Sequence, residues 1–146
     1  MVAIVSATED DIPQILEIER EAISPPWTHG TLLSEIYRDD SYFALAALNE
    51  EILGFIIVRS MVDCGELLQI AVEKSKRRRG VADLLMHAVH DYAKKNALNP
   101  VFLEVRKSNA AAISLYTKHG YLLVRQRKDY YTEPVEDAMV MSVQIH

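Results

Sequence analysis

A dense basic cluster precedes an apolar pattern of helical spacing near the middle of the chain. Five of the residues from Lys74 to Arg79 are basic, and Gly80, Val81 and Ala82 open the segment that follows. A helix start offers free backbone N–H groups and the positive end of the helix dipole, and small residues there let an anion approach the backbone. The spacing therefore favours a phosphate site. A solvated basic loop or a nucleic-acid patch are the alternatives that these residues alone leave open.

A carboxylate lies within a short strand-like run, Val101 to Val105, further along the chain. Alternation along a strand places Phe102 and Glu104 on one face and the residues between them on the other. A carboxylate held beside an aromatic ring is a candidate for proton transfer. We therefore interpret Glu104 as a candidate acid or base.

The other residue types that often carry chemistry do not form a motif. His87 and His90 are spaced to share a helix face, but the sequence positions no third histidine or carboxylate to complete a zinc site. We therefore expect His87 and His90 on exposed surface and predict no metal site. No Gly-x-Ser-x-Gly elbow occurs, and nothing near Cys64 indicates a nucleophile.

The elements that must position these residues follow from the hydrophobic periodicity. The predicted order is β-α-α-β-β-β-α-β-α-β-β, an α/β or α+β sandwich built on one mixed sheet. Thr8 and Asp11 resemble a capping box before the first helix, and Thr28 or Thr31 is the predicted cap of the second. The predicted strands are Val2–Ser6, Tyr42–Leu48, Ile52–Ser60, Glu66–Val72, Pro100–Val105, Tyr121–Tyr130 and Asp137–Gln144, and the last helix is Asn109–His119.

The length and composition indicate one compact domain that spans residues 1–146. Hydrophobic residues make up 49% of the chain and charged residues 25%. No apolar run approaches the roughly 18 residues that a membrane span requires. The N-terminus lacks the pattern of a secretory signal, and the single cysteine has no partner for an internal disulfide. We therefore expect a soluble protein of the cytoplasm that does not bind membranes.

The net charge of −5 comes from 16 basic and 21 acidic residues. Without the five basic residues of the cluster, 11 basic residues face 21 acidic ones, which leaves −10. Such a balance does not favour binding of nucleic acid by the whole protein. It does favour a basic partner away from the cluster.

The stretch "RRRGVA" matches the Arg/Gln-x-x-Gly-x-Gly/Ala signature of the GNAT superfamily of acetyl-CoA-dependent N-acetyltransferases, with Arg77, Gly80 and Ala82 at the fixed positions. "LLQIAV" precedes it and "LEVRKSNAAAISLYTKHGY" follows it. With "PPWT" and "RKDYYTEPVEDAMVMSV", these segments resemble the bacterial ribosomal-protein-alanine N-acetyltransferases of the RimI type. The resemblance covers nearly the whole chain. It implies the GNAT acyl-CoA N-acyltransferase fold, a mixed central sheet of about seven strands flanked by about four helices.

The resemblance also implies where acetyl-CoA, the expected cosubstrate, would bind. Strand backbone would contact its pantetheine arm, main-chain groups of the loop would hold its pyrophosphate, and Asn109 would contact it further along. From the residues alone, Asn109 is a helix N-cap and the strand side chains pack in the core. The implied cofactor-binding residues are Ile70, Ala71, Val72, Arg77, Arg78, Arg79, Gly80, Val81, Ala82, Asp83 and Asn109. We expect the Asp83 carboxylate to turn away from the phosphate or to be compensated by Arg79.

By the same resemblance, Glu104 is the general base, acting directly or through water, and Tyr116 is the general acid. Acetyl transfer from a thioester requires a neutral amine, a polarised carbonyl and a proton for the departing thiolate. A phenol stays protonated at neutral pH and can deliver that proton. The Val72 N–H is the expected oxyanion donor. Without the resemblance, Tyr116 would be interpreted as a packing residue on a helix face.

The implied acceptor is the N-terminal alanine amine of a small-subunit ribosomal protein. Aromatic and acidic residues that would contact it are Glu19, Trp27, Tyr130, Tyr131 and Asp137, with a packed aromatic and a solvated acidic loop as the structural alternative. A lysine, a polyamine or another small amine is the alternative acceptor. A non-catalytic adaptor that binds the ribosome or nucleic acid is a further alternative. We expect a monomer, with a dimer as the alternative.

Overall fold

The computed structural model describes residues 1–146 and contains seven strands and four α-helices in the predicted order. Short 3₁₀ turns at Glu9–Asp11 and Lys74–Lys76 precede the first and third helices. The elements are β1 (Ala3–Ser6), α1 (Ile12–Ala22), α2 (His29–Ile36), β2 (Ser41–Leu48), β3 (Glu51–Ser60), β4 (Gly65–Val72), α3 (Val81–Lys95), β5 (Val101–Arg106), α4 (Ala110–Lys118), β6 (Leu122–Thr132) and β7 (Val135–Val143).

All seven strands form one mixed sheet in the order β1-β2-β3-β4-β5-β7-β6. Only β4 and β5 are parallel, and every other neighbouring pair is antiparallel. The parallel pairing is short because it joins only Gly65–Leu67 to Val101–Leu103. Beyond these residues the two strands are no longer hydrogen-bonded to each other, and a gap opens in the middle of the sheet.

Two hydrophobic cores lie on opposite faces of this sheet. The larger contains Leu85 and Val89 of α3, Tyr116 of α4 and the inward side chains of the central strands. The smaller contains Ile12 and Ile15 of α1 with side chains from α2 and strands β2 to β4. The helices therefore cover both faces of the sheet. The gap between β4 and β5 lies between these two faces. No helix is long and apolar enough to cross a membrane.

Local capping explains where the helices begin. The Thr28 hydroxyl accepts a hydrogen bond from the Thr31 N–H at 3.2 Å, so Thr28 is the cap of α2. The Asp11 carboxylate accepts a bond from the Thr8 N–H at 2.8 Å, as the capping-box spacing indicates. The turn between β2 and β3 lies at Asn49 and Glu50, and Asn49 adopts a positive φ.

One prediction about surface histidines is wrong. His87 is exposed, but His90 is half-buried, and its Nε2 lies 3.2 Å from the Tyr121 hydroxyl. The fold also brings the ring of His119 within 5.4 Å of His87 and 6.0 Å of His90. The sequence missed this cluster because His119 lies at the end of a different helix. No group of three or more His, Cys, Asp or Glu side chains is arranged to hold a metal ion.

Candidate active site

The gap between β4 and β5 begins at a β-bulge in β4. Val58 of β3 pairs with Leu67, and the preceding Ile57 pairs with Gln69, so Leu68 is an extra residue on β4. A bulge bends its strand and increases the local twist. The bulge lies at the point where the pairing of β4 with β5 ends, and we attribute the separation of the strands to it.

The free edge of β4 offers backbone groups to an extended ligand. Glu73 donates its N–H to Leu53 of β3, and N–H and C=O groups point to alternate sides along a strand. This alternation turns the polar groups of Ala71 toward β3 and those of Ile70 and Val72 toward the gap. The Val72 carbonyl accepts a bond from the Arg77 side chain at 3.2 Å. Ile70 and Val72 therefore supply the polar edge, and Ala71 maintains the spacing between them.

The loop before α3 has the backbone conformation expected at an anion site. Arg78 and Gly80 both adopt the left-handed region, with φ of 65° and 79°. Gly80 is the N-cap of α3, and its carbonyl accepts the Leu84 N–H at 3.1 Å. The N–H groups of Val81, Ala82 and Asp83 are therefore in the first turn, where no intrahelical acceptor exists. These groups fit a phosphate, and a Cβ added at Gly80 would meet no atom within 4 Å.

The basic side chains of the cluster differ in their partners. The Arg77 guanidinium contacts Glu21 of α1 at 3.2 Å as well as the Val72 carbonyl, so it ties the loop to α1. Lys76 pairs with Glu51 at 3.1 Å. Arg78 and Arg79 are exposed at the helix start. The features that suit an anion are therefore the backbone conformation of the loop and the exposed side chains of Arg78 and Arg79. The number of basic residues in the cluster matters less.

Asp83 turns away from the loop, as expected. Its carboxylate contacts Lys118 Nζ at 2.8 Å and His119 Nε2 at 2.8 Å. These bonds hold the pKa of Asp83 below its usual range, with Lys118 as the larger cause. Of the two alternatives expected for Asp83, the structure shows the first, a carboxylate turned away from the loop, and the end of α4 supplies both of its partners. Asp83 thus joins the first turn of α3 to the last turn of α4.

Asn109 is the N-cap of α4. Its side-chain oxygen accepts the Ala112 N–H at 3.1 Å, which is the capping role that the residues alone indicated. Asn109 is exposed at the end of the loop that follows β5. A capping role leaves its amide nitrogen available as a donor.

Glu104 lies on the α1 and α2 face of the sheet, just past the last residue of β5 that pairs with β4. Its Oε1 accepts a bond from Arg127 Nη1 of β6 at 3.2 Å. Its Oε2 is buried and has no hydrogen-bond partner. Burial, and then the nearby Glu104 carboxylate, raises the pKa of Tyr130. An unpartnered buried acceptor beside the gap is free to receive a proton or an N–H group.

Tyr116 lies on the opposite face of the sheet from Glu104. It belongs to the core beneath α3 and α4, and only 7% of its surface is exposed. Burial, and then the Tyr131 phenol, raises the pKa of Tyr116 well above the ordinary range. Tyr116 is therefore a neutral phenol at physiological pH. Burial is also the main cause that raises the pKa of Tyr131 to about 12.

The residues predicted to contact an acceptor form two groups, three aromatic side chains and two carboxylates. Tyr130 and Tyr131 lie edge to face, 5.1 Å apart, with Arg127 over the first ring and Arg106 over the second. Trp27 is half-buried and packs against the core beneath α1 and α2. These aromatic rings are on or near the surface around the gap.

The two predicted carboxylates support the acceptor region from within. Glu19 is fully buried and accepts bonds from the Trp27 N–H at 2.8 Å and from Gln69 Nε2 at 3.0 Å. Asp137 accepts bonds from Gln126 Nε2 at 2.6 Å and from the Asp129 N–H at 2.9 Å, so it fixes the β6–β7 hairpin. Both carboxylates hold the segments that carry the aromatic residues.

Arg106, which the sequence did not single out, joins two segments near the gap. Its guanidinium donates to the carbonyl of Ser24 at 3.3 Å and to those of Glu133 and Pro134 at 3.2 and 3.0 Å. It also pairs with Glu136 at 3.3 Å. The loop between α1 and α2 and the turn between β6 and β7 are therefore fastened together at the end of β5.

Comparison with known proteins decides the family. The model of the Acetyltransferase (GNAT) family matches residues 12–121. The chain is 33% identical to [ribosomal protein bS18]-alanine N-acetyltransferase of Escherichia coli strain K12, over 99% of both chains. It is 34% identical to the enzyme of the same name from Haemophilus influenzae, over 90% of this chain and 91% of that one. The chain belongs to the GNAT acetyltransferase family. The crystal structure of the ribosomal-protein-S18-alanine N-acetyltransferase from E. coli superposes with a TM-score of 0.90 at 32% identity, over 99% of this chain and 94% of that one.

Membership of the GNAT family confirms the main inferences from the sequence. The protein is an acetyl-CoA-dependent N-acetyltransferase with the predicted seven-stranded mixed sheet and four helices. Of the alternatives left open, the interpretation of the basic cluster as part of a cofactor site is the one that agrees with this family. The sequence missed Gln69, Arg106 and Arg127, because only the register of the sheet brings them to the gap.

Proposed function

We propose that this acetyltransferase transfers acetyl from acetyl-CoA to the N-terminal alanine amine of a small-subunit ribosomal protein. The observation that carries the proposal is 33% identity, over 99% of both chains, to an enzyme named for that reaction. A ribosomal acceptor, together with the lack of a membrane-spanning helix, supports a place in the cytoplasm.

The donor would bind along the gap and the loop before α3. The free N–H and C=O of Ile70 suit the amide groups of the pantetheine arm, whereas Val72, beyond Ala71, has its carbonyl bonded to Arg77 and only its N–H free. The first-turn N–H groups from Gly80 to Asp83 suit the pyrophosphate, and the exposed Arg78 and Arg79 add positive charge. Arg77 would act indirectly, by fixing the loop against β4 and α1. The Asn109 amide is a further donor near the end of β5.

The acetyl transfer itself would be a direct attack with no acyl-enzyme. The amine nitrogen bonds to the acetyl carbon, the C–S bond breaks, and the Val72 N–H stabilises the oxyanion. Glu104 takes the amine proton through its unpartnered Oε2, directly or through water. Tyr116 gives its proton to the thiolate. An α-amino group has a pKa of about 7.7 to 8.0, so a carboxylate suffices as its base, whereas a lysine amine near 10.4 requires more help.

The acceptor would approach from the face of the sheet that carries Glu104. Trp27, Tyr130 and Tyr131 are the aromatic groups available to its first residues. Glu19 and Asp137 would act by holding Trp27 and the β6–β7 hairpin in place. The excess of acidic residues outside the basic cluster suits the basic segments of a ribosomal protein.

The test is thiol release from acetyl-CoA with Ala-, Ser- and Met-starting peptides and with polyamines. We expect turnover with the alanine peptide, and a loss of roughly 100-fold or more in kcat for Glu104→Gln and Tyr116→Phe. Tyr37→Phe and Glu50→Gln, at exposed sites on other parts of the surface, are the matched controls and should retain full activity. Turnover with small amines alone would exclude the peptide acceptor. Unchanged rates in both site variants would exclude the catalytic pair.

A further inference from the structure

A second carboxylate, Glu66 of β4, lies beside Glu104 where the two parallel strands begin to separate. Glu66 is paired with Phe102, and Glu104 is the next residue of β5 on the same face. Leu67 and Leu103 point into the opposite core, so both carboxylates face α1 and α2. Glu104 is near enough to act electrostatically on Glu66, so the two carboxylates can act on one group in the gap.

The positive side chains around this pair are already engaged. Arg59 pairs with Glu66 in the register of β3 and β4, but its guanidinium contacts both oxygens of the buried Glu35 at 2.7 Å. Arg127 donates to Glu104. Glu66 has no salt bridge of its own within 4 Å. Two carboxylates therefore share the single positive charge of Arg127, and one negative charge is left over beside the gap.

The local electrostatics agree with this arrangement. Burial raises the pKa of Glu66, the neighbouring Glu104 raises it further, and Arg59 and Arg127 lower it. Glu104, Arg59 and Arg127 thus all act on the pKa of Glu66. Two phenols also face the carboxylate pair: burial, then Glu104 and to a smaller extent Glu66 raise the pKa of Tyr130, and burial and then Glu104 raise the pKa of Tyr131.

We propose that Glu66 is an acceptor-recognition residue that binds the positively charged form of the incoming amine beside Glu104. The proposal rests on the proposed function, in which an amine reaches Glu104 from this face. An ammonium group held by both carboxylates would lie next to the unpartnered Oε2 of Glu104, which would then take its proton. Glu66 would thus select cationic acceptors, and Glu104 would carry out the proton transfer.

Binding of two peptides that differ only in charge tests this role. The probes are an alanine-starting peptide with a free amine and the same peptide already N-acetylated, each measured by calorimetry against the protein with coenzyme A near pH 6.5. In the wild type we expect tighter binding of the free amine. In Glu66→Gln we expect that preference to fall by about fivefold, the effect of one partly exposed ion pair. Glu66→Asp should restore part of it, and Glu50→Gln, on the β2–β3 turn, should change nothing.

The outcomes separate the proposal from a structural role and from the proposed function. Equal weakening of both peptides in Glu66→Gln would mean that Glu66 only supports the fold, and an unchanged preference would mean that it does not recognise the amine. Either result overturns the proposal. If wild-type protein acetylates polyamines but not the alanine peptide, the proposed function fails, and the Glu66 comparison is then made with a polyamine and its acetylated form. In steady-state kinetics we expect Glu66→Gln to raise the KM of the peptide and to leave the KM of acetyl-CoA nearly unchanged.

Discussion

At the scale of single residues, Glu19 shows how a carboxylate at this site can be buried without a counter-ion. Its carboxylate is enclosed, and one oxygen accepts both of its hydrogen bonds. The other oxygen has no partner, and neither does the side-chain oxygen of Gln69. A buried charge with so few partners costs stability, so its retention beneath Trp27 is consistent with a role in positioning the acceptor region.

The titration of Glu19 gives the first prediction. Burial raises the pKa of Glu19 above its ordinary value, so the folded protein holds this proton more tightly than the unfolded chain does. The contribution of this group to stability is therefore present below the ordinary carboxyl pKa and is lost as the pH rises through the raised value. We expect Glu19→Gln to remove this part of the pH dependence. Urea unfolding from pH 4.5 to 8 measures it, and parallel curves for wild type and variant would contradict the prediction.

The buried Arg59–Glu35 pair gives the second prediction. Glu35 of α2 is 4% exposed, and Arg59 of β3 is the only cation that it contacts. Arg59→Met leaves that carboxylate buried and unpaired, and we expect a loss of about 3 kcal/mol in the free energy of unfolding. Arg38→Met, which breaks an exposed pair with Asp40, is the matched control and should have little effect on stability. Chemical denaturation measures the free energy of unfolding of both variants. Similar losses in the two would contradict the larger contribution expected from the Arg59–Glu35 pair.

At the scale of elements, the close approach of β3 to β4 supports the free edge of the gap. A Cβ at Gly54 of β3 would lie 2.6 Å from the Ala71 carbonyl oxygen, so Gly54→Ala must push β4 away. We expect a loss of about 1 to 3 kcal/mol in stability together with weaker acetyl-CoA binding. Gly30→Ala in α2, where the nearest atom is 3.9 Å away, should stabilise the protein by up to about 1 kcal/mol. Thermal unfolding with and without coenzyme A checks both, and a fully active, stable Gly54→Ala would refute the argument.

The loop before α3 is constrained by backbone conformation. Gly80 has a φ of 79°, which a β-branched residue adopts only with strain, although open space surrounds it. We expect Gly80→Val to weaken acetyl-CoA binding by about tenfold or more and Lys74→Ala by less than about threefold, since Lys74 is an exposed charge. Calorimetric titration with coenzyme A makes the comparison. Equal losses of coenzyme A affinity in the two variants would mean that the cluster acts only as a general basic surface.

Most elements of this fold, but not their alignment, are predictable from the sequence. Hydrophobic periodicity located most strands and helices within a few residues, because most segments bury one face; β3, buried on both faces, and β6, exposed along nearly its whole length, are exceptions. The bulge at Leu68 has no such signal, since "LLQIAV" is an apolar run interrupted only by Gln69. The gap follows from that bulge, and the juxtaposition of Glu66 with Glu104 follows from the register. Residues joined by pairing of distant strands were therefore the ones that sequence analysis missed.

At the scale of the whole molecule, charge is unevenly distributed. The chain carries −5 overall, and exposed Arg78 and Arg79 lie where the donor phosphates would bind. We expect the KM of a basic acceptor peptide to rise several-fold between about 50 mM and 500 mM salt, because screening weakens its attraction to an acidic surface. A neutral peptide with the same first residues should show little change. Equal salt effects on both peptides would mean that long-range charge does not guide the acceptor.

The fastening of the α1–α2 loop to the β6–β7 turn by Arg106 has a consequence for engineering. One guanidinium donates hydrogen bonds to carbonyls of both segments, so the backbone positions of the two segments depend on each other. Grafting only one segment from a relative with a different acceptor would leave that guanidinium with half of its partners. Changing the acceptor range of this enzyme therefore requires that both segments be exchanged together, as one cassette.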